Sequence, residues 1–116
     1  MVFGDGLKGR AEFLRNAKPE LVADLRLYST EEGGRKSPIP PGWGCPCSAE
    51  RNTNEAWDGF PILGEQEMRP GEARRVGFVF LSGEAAALLF RRAGSFYLWE
   101  GRFIGEATVV GRETSI

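Results

Sequence analysis

The chain has 116 residues, 15 Lys and Arg against 16 Asp and Glu, no His, and a formal net charge of -1. A chain of this size forms one domain that buries roughly two-thirds of its extended-chain surface, enough for a core without disulfide or metal staples. Near-neutrality supplies no long-range field to gather nucleic acid or an anionic membrane, which excludes bulk electrostatic binding of DNA or lipid and leaves any phosphate contact local.

Met1-Val2-Phe3-Gly4-Asp5-Gly6 lacks the apolar stretch of a signal peptide, and no later run is long enough to cross a bilayer, so the expected setting is the cytoplasm. Leu7, Ala11, Phe13 and Leu14 stand among charges and fit a short helix or an entering strand equally. Residues 1–18 are read as an N-terminal extension or linker-like segment, and 19–116 as the folded domain. In the alternating run Val22 to Tyr28, Ala23, Leu25 and Leu27 share one side of a strand over about 22–29. Glu31-Glu32-Gly33-Gly34-Arg35-Lys36-Ser37-Pro38 then turns the chain, with the two glycines permitting positive φ and Arg35 and Lys36 at the exit of the turn.

Pro38, Pro40 and Pro41 bar regular pairing through the loop Ile39 to Pro46. Strands near 47–53 and 59–63 flank a connection, Asn54 to Gly59, with hairpin chemistry. Pro70-Gly71 makes a tight turn before Arg74 to Leu81, where Val76, Phe78 and Phe80 share a face. Ser82 is placed to cap a short helix over 84–92 that Gly94 stops. Phe96 to Trp99 and Phe103 to Val110 form a hairpin across Glu100-Gly101-Arg102. Sixteen Gly and seven Pro among five to six short strands, with no long unpaired edge, predict an all-β fold closed into a small barrel.

Cys45 and Cys47 flank Pro46, too close for an ordinary disulfide, and are expected as free thiols. Half a zinc site of Cys-x-Cys type would need a second chain here, because there is no other Cys and no His, so neither a metal nor a cofactor is expected. Without His, and with carboxylates scattered among turns, the chain offers no catalytic set and is not expected to be an enzyme.

Three signals in order, the strand with Glu31 to Pro38, the turn Met68-Arg69-Pro70-Gly71-Glu72 before a β-run, and the hairpin Phe96 to Val110, resemble the third, C-terminal domain of elongation factor Tu over roughly residues 19 to 110. Arg15-Asn16-Ala17-Lys18-Pro19 is similar to the stretch that precedes that domain. The resemblance implies a closed six-stranded antiparallel barrel standing without its motor. No Gly-x-x-x-x-Gly-Lys-Ser/Thr loop is present to cradle a nucleotide, so no GTPase activity is expected. It also implies RNA-facing positions at Arg35, Glu100 and Gly101, since that domain helps to hold the stem of aminoacyl-tRNA. Two stretches depart from the family pattern: Ser82 to Ala87 is acidic, and Gly42-Trp43-Gly44-Cys45-Pro46-Cys47 lacks an arginine found there.

Two functions follow as expectations. The first is a non-catalytic protein-interaction module, monomeric or weakly dimeric, that anchors an unidentified protein partner on the loop residues Trp43 and Trp57. The alternative is weak binding of structured, tRNA-stem-like RNA through Arg35, Lys36, Arg102 and the Gly101 turn.

Overall fold

The structure, a computed structural model, describes residues 6–111. Helix α1 (Gly6–Arg15) precedes strands β1 (Leu21–Leu27), β2 (Cys45–Ser48), β3 (Trp57–Ile62) and β4 (Ala73–Phe80), helix α2 (Glu84–Ala93), and strands β5 (Ser95–Trp99) and β6 (Phe103–Val109). All ladders are antiparallel, and the strands close in the order β1-β4-β3-β2-β5-β6, with β6 returning to β1. This is the small all-β barrel expected, and its shape is compatible with translation-factor barrels.

Alternation sends one face of each strand inside. On β1, Leu21, Ala23, Leu25 and Leu27 are buried, and Ala23 lies opposite Val76 on one side and Val109 on the other. The interior is built around Phe78, Phe80, Phe90 and Phe96, all fully buried, with Phe90 and Phe96 stacked at 4.5 Å and Phe78 edge-on to Phe96 at 5.1 Å. Each such ring contributes about 2–3 kcal/mol by leaving water. Phe90 comes from α2, which carries the chain from β4 to the non-adjacent β5 and buries Ala86, Ala87 and Phe90. Gly94 ends this helix in the left-handed region, donating its N–H to Phe90 O, as its sequence position suggested.

Two local expectations are corrected and one open alternative is settled. Strand β2 runs Cys45–Ser48 rather than over 47–53. Pro46, which has no N–H, is accepted because β2 pairs with β3 alone at that position, and Ser48 Oγ then bonds Glu50 O as the chain leaves the sheet. Ser82 does not cap α2, because Gly83, at φ 71°, occupies the N-cap and no side chain bonds there. The ambiguous N-terminal segment is helical, but only Leu14 of α1 is buried, against the outward-facing Phe60 and Val79 of β3 and β4. One buried position in ten residues is why its periodicity was weak.

By this topology the chain between β1 and β2, the β3–β4 turn and the β5–β6 turn share one end of the barrel. Residues 49–56 and α2 leave from the other.

Candidate interaction surface

Most of the residues singled out by sequence meet at the first end. Arg35 and Glu100, far apart in the chain, form an ion pair in which Arg35 Nη1 reaches both Glu100 carboxylate oxygens at 2.8 and 2.7 Å. Arg35 Nε donates to Ser37 O at 3.1 Å, and Nη2 to Ser37 Oγ at 3.2 Å and Pro38 O at 3.3 Å. Trp43 lies under the guanidinium at 5.6 Å and donates its indole N–H to Glu100 Oε2 at 3.2 Å. Arg102 donates to Gly34 O at 3.1 Å, while Lys36 is exposed and makes no ion pair among the described residues.

This cluster ties loops together and leaves little for a ligand. A guanidinium has five N–H donors, and the Arg35 contacts occupy each nitrogen. A phosphate would have to displace a carboxylate and compete with charge-assisted bonds worth about 1.5–3 kcal/mol each. Trp43 is 8% exposed and so packs as part of the core rather than standing out as an anchor. Gly101, at φ 75°, takes a left-handed conformation that glycine permits, and the space where a Cβ would sit is open. Trp57 is placed at the opposite end, half-buried and edge-on to Phe90 at 5.8 Å.

The two thiols are free and buried. Burial, and then the neighbouring Cys45, push Cys47 well above the usual thiol range, which leaves it protonated and unreactive at neutral pH.

A different surface has the makings of a binding site. On β5 the inward residues are Phe96 and Leu98, so Tyr97 and Trp99 face outward, and Trp99 is 41% exposed. Phe103 meets Trp99 edge-to-face at 5.0 Å. Arg51, from the loop after β2, folds back over this wall, 4.6 Å from the Tyr97 ring, 5.1 Å from Phe103 and 5.7 Å from Tyr28. Its Nη2 donates to Tyr28 Oη, which in turn donates to Glu106 Oε1 at 2.9 Å. Burial and the Glu106 carboxylate hold the Tyr28 hydroxyl above its ordinary range, keeping it a donor. The side chain of Arg51 is thereby held in place before any partner arrives.

Between Arg51, Trp99, Phe103 and Pro46 lies an open recess of about 460 Å³. A second recess, about 440 Å³, adjoins it across Thr53 and Glu55 and is floored by Trp57, Leu89 and Ala49. Each has room for one or two side chains of a partner. Two small open recesses side by side suit a chain laid across them better than an enclosed small molecule.

Sequence reasoning chose Trp43 and Trp57 because they lie in connections, and passed over Trp99. The signal was present in the alternation of Phe96 to Trp99, which puts the last ring outside once Phe96 is inside. Arg51 had no such signal, because only the early end of β2 frees it to fold back. Among the described residues no group of three or more potential metal ligands occurs, and no helix is long and apolar enough to cross a membrane. No protein-family model matches the chain, and no curated protein does.

Proposed function

We propose that this protein is a non-catalytic interaction module on a translation-factor-like barrel, of the kind seen as the third domain of elongation factor Tu, acting in the cytoplasm and binding a protein partner through the Trp99 face. The observation that carries the reading is an exposed Trp99 beside Phe103 and a pre-positioned Arg51, since Trp, other aromatic and Arg side chains dominate binding energy where they border a recess. The RNA alternative loses its main cation, because Arg35 is spent on Glu100, Ser37 and Pro38.

A photoreactive side chain at Asn54, on the rim of the first recess, tests this in the source cytoplasm. Cross-links to a protein that disappear in Trp99→Ala support the proposal. Cross-links to RNA alone, or adducts indifferent to Trp99→Ala, overturn it.

A further inference from the structure

The Trp99 face has a charge character that the whole chain lacks. Glu50 and Glu55 border the second recess, and Asp58 stands on the outer face of β3, directly opposite Pro46 of the first. None of the three carboxylates makes an ion pair among the described residues. Most other acids on the barrel are answered, Asp24 by Arg75, Glu32 by Arg26, Glu72 by Arg74 and Glu100 by Arg35. Among the described residues that line the two recesses the one cation is Arg51, which is turned toward Tyr28 and the aromatic wall and lies 3.9 Å from Glu106. Glu50 and Glu55 thus border the floor made by Trp57 and Leu89, Glu55 also lines the recess of Trp99 and Phe103, and Asp58 stands beside that recess across from Pro46.

We infer that the partner bound at this face is a protein segment in which Lys or Arg side chains alternate with apolar anchors. The inference rests on the interaction-module reading above and adds the chemistry of the partner. An apolar anchor fills a recess and loses contact with water, while a neighbouring Lys or Arg lays its stem along the same floor and brings its charge to Glu50, Glu55 or Asp58. Attraction between partly exposed charges is modest per pair, so three together act mainly on selectivity and association rate. A nucleic-acid backbone is disfavoured by the same three charges, which would repel its phosphates.

Three synthetic peptides of equal length, alternating Leu with Lys, Leu with Gln, or Leu with Glu, probe the idea by calorimetry against the full chain. The Leu-Lys peptide is expected to bind about tenfold tighter than Leu-Gln, a difference of about 1.4 kcal/mol, and Leu-Glu weaker still. The advantage should shrink in high salt and in the triple variant Glu50→Gln, Glu55→Gln, Asp58→Asn, whose charges lie on the surface and whose loss leaves folding intact by circular dichroism. All binding should fall in Trp99→Ala. Equal affinity for Leu-Lys and Leu-Gln, both lost in Trp99→Ala, would overturn the basic-partner inference while sparing the docking face. Binding of Leu-Lys that ignores Trp99→Ala, or no binding by any peptide, would remove the docking face as well.

Discussion

At Gly34 the backbone runs so close to the preceding strand that a Cβ would lie 2.2 Å from Tyr28 O and 2.8 Å from Ser29 O. Neither atom is the free end of a flexible side chain, so the strain has no cheap outlet. Gly34→Ala should cost about 2 kcal/mol or more, read as a lower urea midpoint at unchanged slope. Both turn glycines permit positive φ, yet of the two only Gly33, at 99°, adopts it. A glycine demanded by a distant close approach leaves the same letter as one demanded by a turn. Beside it, Arg35 and Glu100 should be coupled: Arg35→Ala is expected to lose about 1–3 kcal/mol, and Glu100→Gln in that background to add little, because the carboxylate has by then lost its main partner. Arg35→Lys should recover only a small part, since an ammonium cannot serve Glu100, Ser37 and Pro38 together. Full additivity in the double-mutant cycle would show the pair to be decorative.

Among the elements, β1 and β5 were legible because period-two alternation runs clean through them, and β4 because Val76, Phe78 and Phe80 share its inner face although α1 also covers Val79. β2 was not, since four residues with a proline carry too little pattern to fix either end. The candidate site divides the same way: Trp99 was readable from β5, whereas Arg51, Glu50 and Glu55 belong to the loop between β2 and β3, whose path depends on tertiary contacts. Helix α1 contrasts with α2, for it buries Leu14 alone on the outside of the barrel, whereas α2 sends Phe90 into the centre. α1 should therefore open well below the global unfolding energy. Hydrogen exchange is expected to show its amides exchanging markedly faster than those of α2 and β4, and equal protection in all three would refute a separately opening helix.

For the whole molecule, acid is the sensitive direction. The hydrogen bond from Arg75 holds Asp24 below its ordinary value, a Ser29 N–H and then Arg26 do so for Glu32, and an Arg69 N–H and then Arg74 for Glu72. Carboxyls lowered in the folded state bind protons later than in the unfolded chain. Their stabilisation is present above the ordinary carboxylate range and is lost as pH falls through the lowered values, below about pH 4. The melting temperature should hold nearly level from about pH 7 to 5 and then drop, with a smaller drop in high salt because these groups face solvent. A drop already complete at about pH 5 would point to other groups. Closure of the strands into a ring has one more result. Cys47, fully enclosed and protonated, turns the intact cylinder into its own stopwatch. A thiol reagent can reach that sulfur only when the staves part, so its labelling rate should climb with urea along the same slope as global unfolding, and a flat response would reveal a leak through the wall.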